Sequence, residues 1–121
     1  MANDKYELLL DQTIEVQGHK LFRIRALRDF GSVKAGEEGG FIESENNLST
    51  EDDAWVYGNA RVSDNAWVYD SARVSGNAWV YGDAWVYGDA WVYGNARVYG
   101  DARVSGNARV YGGDEKLNAN T

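Results

Sequence analysis

Residues Asp53 to Gly112 read as ten six-residue repeats with no insertion or deletion between them: DAWVYG NARVSD NAWVYD SARVSG NAWVYG DAWVYG DAWVYG NARVYG DARVSG NARVYG. The second residue of every hexad is Ala and the fourth is Val, while the third is only Trp or Arg and the fifth only Tyr or Ser. Ala-x-Val has the period of a strand, in which residues two apart share a face and the one between points the other way. Ala and Val therefore belong inside, with Trp/Arg and Tyr/Ser outside. The sixth and first positions, Gly or Asp followed by Asn, Asp or Ser, suit a corner that needs positive φ or a side chain bonded to its own backbone. A strand this short cannot bury its Ala-Val face alone, so the hexads must stack into an all-β solenoid, a parallel β-helix with a continuous core.

The repeat resembles the hexapeptide-repeat family, in which an aliphatic residue fills the inside of each short side and a small residue sits two positions earlier. Val56 with Ala54, Val62 with Ala60, and so on to Val110 with Ala108, match that pattern. The preceding stretch GGFIESENNLS (39–49) also looks like the lead-in of bacterial and phage hexapeptide-repeat proteins loosely called acyltransferases. The resemblance implies a left-handed β-helix, triangular in section with three hexads to a coil, and side-by-side trimers.

Three segments follow. Residues 1–40 are expected to form an N-terminal cap with a β-hairpin, whose strands Thr13–Val16 and Leu21–Leu27 turn around Gln17 to Lys20. Residues 1–12 fit either a short helix or an entering strand. Residues 41–112 form the β-helix of about four coils, because 41–46 and 47–52 fall in hexad phase as degenerate repeats, with Ile42 and Leu48 where Ala would stand. Residues 113–121 read as a flexible tail or thin lid. The run from Gly36 to Gly40 reads as a turn, not a phosphate-binding loop.

Composition excludes several classes. There is no Cys, hence no disulfide and no thiolate metal site. Neither a membrane-length apolar run nor a signal peptide is visible, so a cytoplasmic protein is expected, for which the Asn47-Leu48-Ser49 glycosylation match carries no weight. The net charge of −7 argues against general DNA binding. Most of it sits ahead of the repeats: residues 1–52 hold six Lys/Arg against eleven Asp/Glu. This is read as a solvated surface.

With eighteen residues to a coil, residues eighteen apart stack on the same face, roughly 4.8 Å apart. The first face carries Trp55, Arg73, Trp91 and Arg109, the second Arg61, Trp79 and Arg97, and alternation of indole and guanidinium on both predicts cation–π ladders between coils. The third carries Trp67, Trp85 and Arg103 beside Tyr69 and Tyr87, the least polar of the three and the predicted interface or ligand-binding face. At the corners, Asn59, Asn77 and Asn95 stack as an amide ladder, and Asn65, Asp83 and Asp101 as a partly acidic column of solvated aspartates.

No catalytic set is visible in the repeats. His19 is the single histidine, too few for the three-histidine metal site of the related carbonic anhydrases, and Ser63, Ser75 and Ser105 have no histidine partner. The leading expectation is a non-catalytic binding or scaffold protein of bacterial or phage origin, self-associating as a trimer, with no cofactor and no metal. A host protein or a nucleotide is its candidate ligand, as in an anti-defence protein that sequesters a host component. Two alternatives are an acyl-coenzyme A dependent acyltransferase with His19 as its base, and a structural subunit of a larger particle.

Overall fold

The computed structural model describes residues 3–111 together with Lys116–Leu117. Three strands open the chain: β1 (Tyr6–Val16), β2 (His19–Ala26) and β3 (Glu38–Ile42). Each hexad then supplies one two-residue strand, β4 (Trp55–Val56), β5 (Arg61–Val62), β6 (Trp67–Val68), β7 (Arg73–Val74), β8 (Trp79–Val80), β9 (Trp85–Val86), β10 (Trp91–Val92), β11 (Arg97–Val98), β12 (Arg103–Val104) and β13 (Arg109–Val110), followed by β14 (Lys116–Leu117). Hexads three apart pair in parallel, giving three stacks: β4-β7-β10-β13, β6-β9-β12, and β5-β8-β11 extended at both ends by β3 and β14. The fold is an all-β solenoid of about four coils.

The alternation read from the hexads is what is buried. The Ala residues from Ala54 to Ala102 and the Val residues from Val56 to Val104 have no solvent exposure. Backbone bonds rise from coil to coil, for example Tyr57 N–H to Val74 O at 2.7 Å and Ser75 N–H to Val92 O at 2.8 Å. Among the described residues the sixth position of each hexad turns its corner with positive φ. Asp64 and Asp70 adopt it too, at 60° and 61°. Strain at a non-glycine residue is offset there by a bond into the next coil: Asp64 Oδ2 accepts from Gly82 N–H at 3.0 Å and Asp70 Oδ2 from Gly88 N–H at 3.1 Å. At the Asn59, Asn77 and Asn95 corner the rungs are main-chain ones, Asn59 N–H to Gly76 O and Asn77 N–H to Gly94 O.

The first coil departs from the hexad phase. Ile42 pairs with Val62 and Leu48 with Val68, a step of twenty residues instead of eighteen. Both therefore stand in the Val column, not the Ala column expected for them. The two extra residues lie between Leu48 and Val56, where one corner is longer. In the preceding corner, between Ile42 and Leu48, Asn47, fully buried, accepts from Glu43 and Ser44 N–H and donates to Asp64 and Ala66 O. It is a turn-forming core residue, which removes the glycosylation match from consideration.

Ahead of the coils, β1 and β2 form an antiparallel hairpin around Gln17-Gly18, both with positive φ as a two-residue hairpin turn requires. The first strand begins at Tyr6, so the segment left open between helix and strand is a strand, interrupted by a bulge between Leu9 and Thr13. Through β3, which pairs antiparallel with β2 and parallel with β5, the hairpin continues one face of the solenoid. Gly39 and Gly40 lie within β3 and are buried, so the expected turn is confined to Gly36, at φ 90°. Tyr6, Ile24, Ala26, Phe30 and Val33 join the same core as the repeat valines. The expected tail, 113–121, lies outside the described residues except for β14, which pairs with β11.

Candidate functional site

On the third face the structure brings all five named residues together. The Trp67 and Tyr69 rings stack at 4.0 Å, Tyr69 stacks on Tyr87 at 4.9 Å with an interplanar angle of 5°, and Trp67 meets Trp85 edge-on at 5.7 Å. Arg103 lies over the Trp85 ring at 4.2 Å and donates to the carbonyls of Asp83, Asp101 and Ala102. The eighteen-residue coil causes this, since it sets like rings one strand spacing apart. Burial against the stack, with the Tyr87 phenol beside it, raises the Tyr69 pKa above the ordinary phenol value. Trp67, at 38 %, is the most exposed indole and ends the stack.

The other two faces differ from the expected ladders. Arg109 does lie over Trp91, at 5.7 Å. Among the described residues, however, Arg73, Arg61 and Arg97 lie over no indole. Trp79 and Trp91 instead lean diagonally into the coil below, where their Nε1–H groups donate to Ser63 Oγ and Ser75 Oγ, both at 3.1 Å. A Ser in the fifth position leaves room for the indole that a Tyr would fill, and its hydroxyl satisfies the N–H. Stacked tyrosines form the rest of the ladder, Tyr81 on Tyr99 at 5.4 Å and Tyr93 on Tyr111 at 5.2 Å. The cue in the sequence was the offset of sixteen between Trp and Ser.

Trp55 is also placed differently. It is expected on the outside, yet it has no exposure, because Tyr6 and Phe30 meet its ring edge-on at 6.2 and 5.2 Å. The N-terminal segment covers the first face of the first coil. Beside it Lys5 is buried, donating from Nζ to Ser49 O and Ala54 O at 2.9 and 2.8 Å and lying 4.8 Å from the Phe30 ring. Burial lowers its pKa from 10.5 to about 8, against the opposing pull of Asp52. Below that value the folded protein holds a desolvated ammonium that the unfolded chain leaves in water. As pH rises from about 8 towards the unfolded lysine value, the folded form releases its proton first, so stability should increase through that window. Urea midpoints of the protein and its Lys5→Met variant at pH 7.5 and 9.5 check this: the rise is expected in the former and not in the latter.

His19 does not point into open solvent from a free turn. It begins β2, and its Nδ1 lies 3.0 Å from Glu43 Oε2 and its Nε2 2.9 Å from Asp64 Oδ1. The hydrogen bond to Glu43 and the charges of Glu43 and Asp64 raise its pKa. With a carboxylate at each ring nitrogen, neither is directed at a substrate as the acyltransferase reading required. Each carboxylate is held by its other oxygen: Glu43 Oε1 accepts from Asp64 N–H at 2.7 Å, and Asp64 Oδ2 from Gly82 N–H. In the neighbouring column Asn65 Nδ2 donates to Asp83 Oδ1 at 3.3 Å, so an amide meets the first of the two aspartates.

A family model described as the YdcK beta solenoid repeat matches residues 54–70, 72–88, 90–104 and 102–113. These stretches are about one coil long and fall on the repeat block, so sequence and fold agree on a β-solenoid repeat protein. The match does not extend to the acyltransferase grouping suggested by the resemblance. No curated protein matches the chain. Among the described residues no helix is long and apolar enough to cross a membrane.

Proposed function

We propose that this β-solenoid repeat protein is a non-catalytic binding or scaffold protein that associates with copies of itself through its third face. The observation that carries the reading is the continuous stack of Trp67, Tyr69, Trp85 and Tyr87 with Arg103 across it. Aromatic and Arg side chains held in fixed positions lose little entropy on contact and dominate interface energetics. The stack is a rigid rung-by-rung surface, suited to a partner with the same pitch, and a second copy has that pitch. A left-handed winding and a trimer come with the resemblance to hexapeptide-repeat proteins.

Light scattering at micromolar concentration tests it. The expected mass is that of three chains; a dimer would keep the face and change the stoichiometry, and a monomer would overturn the reading. Trp67→Glu should weaken association at least about tenfold, as loss of an aromatic anchor from an interface does, while leaving the circular dichroism unchanged, since the ring ends the stack and lies outside the core.

A further inference from the structure

The corner where the hairpin turn meets the second hexad gathers a nitrogen and two carboxylates from three separate elements. His19 comes from the start of β2, Glu43 follows β3, and Asp64 ends the hexad that contains β5. One ligand atom from each lies within 4.8 Å of the other two. Tetrahedral zinc with bonds of about 2.0 to 2.2 Å sets its ligands roughly 3.4 Å apart, inside the 4.8 Å span of this set; the carboxylates meet different ring nitrogens, Glu43 at Nδ1 and Asp64 at Nε2, so an ion on one nitrogen takes the place of that contact.

Two further features distinguish this corner from a loose cluster of surface acids. The oxygens facing His19 are oriented by their partners on the same carboxylates, which accept from the backbone N–H groups of Asp64 and Gly82. That is how outer-shell bonds orient metal ligands. The corner also opens onto a cavity of about 480 Å³ whose wall adds Asn65 and the Asp83 carboxylate and contains no Lys or Arg side chain. Two carboxylates meet the imidazole there, and a third, that of Asp83, lines the cavity. The side chains of His19, Glu43 and Asp64 are 40 %, 31 % and 30 % exposed, so an ion can reach all three from solvent.

We propose that His19, Glu43 and Asp64 form a binding site for a divalent first-row transition metal, with water from the cavity completing the coordination. An imidazole nitrogen among carboxylates suits zinc, cobalt or nickel, whereas calcium and magnesium prefer all-oxygen sites. The bound ion would tie the hairpin turn to a corner of the solenoid. It would act on attachment of the N-terminal segment.

Calorimetric titration of the untagged chain at pH 8 with zinc and, separately, calcium tests the proposal. One zinc per chain is expected, with calcium at least about a hundredfold weaker, and His19→Gln should weaken zinc at least about tenfold with unchanged circular dichroism. If that variant alters the fold, Asp64→Asn serves, since its amide oxygen still accepts from Gly82 N–H and Asn tolerates positive φ. No zinc binding, equal calcium binding, or full zinc affinity in the folded ligand variant would each overturn it.

Discussion

Gly39→Ala is expected to lower stability by about 3 kcal/mol or more, the upper range for overpacking a buried site. A β-carbon there would stand 2.4 Å from the Val56 carbonyl oxygen and 2.9 Å from both the Trp55 ring and Ile24 Cγ1. The oxygen is main chain and cannot swing away. Gly40 is as tight, with the Ala60 carbonyl oxygen at 2.5 Å and Val56 Cγ1 at 2.7 Å. Both lie where an antiparallel hairpin sheet becomes a parallel coil, and the backbone must pass directly over the first two hexads to make the change. Gly36→Ala is the comparison, because there the positive φ is the obstacle and open space surrounds the site. Its cost should be about 1 to 2 kcal/mol. Urea unfolding of the three proteins checks the order, and equal effects of Gly39→Ala and Gly36→Ala would contradict the steric account.

Trp55→Ala should cost about 3 to 5 kcal/mol, as truncation of a buried aromatic does, whereas Trp67→Ala should cost about 1 kcal/mol. The two residues occupy the same position in nearly identical hexads. What separates them is the cover that Tyr6 and Phe30 place over Trp55. Removing the indole opens a cavity between the N-terminal segment and the first coil, so the hairpin should become susceptible to proteolysis while the later coils persist. Parallel urea titrations and limited proteolysis would show both effects, and comparable losses in the two variants would be inconsistent with the burial difference.

That pair also shows which parts of the structure were legible in the chain. Ala and Val were readable as core because each decision is local: the strand period is two and every hexad repeats it. The stack of Trp67, Tyr69, Trp85 and Tyr87 followed from the same arithmetic carried over eighteen residues. Trp55 was not readable, since its own hexad matches that of Trp85 letter for letter and its burial depends on Tyr6 and Phe30, far away in sequence. Ile42 and Leu48 fit either of two phases, both apolar, so only pairing in space reveals the longer corner. For His19 the partners Glu43 and Asp64 lie twenty-four and forty-five residues downstream, with no local spacing to mark them. The diagonal Trp–Ser bonds were within reach but were hidden by columns read straight up each face.

Pairing at eighteen residues throughout the ten hexads makes the length of this repeat block change in whole units. Removing residues 71–88 would join equivalent corners, so that every later strand keeps its face, its pitch and the type of residue above it. Removing a single hexad would instead rotate everything downstream by one side of the prism, keeping the Ala and Val columns that every hexad supplies but re-pairing the outer side chains on all three faces. Tandem duplication or loss of eighteen residues is thus the natural step by which such a chain lengthens or shortens, and the three faces can diverge independently because no such step ever exchanges them.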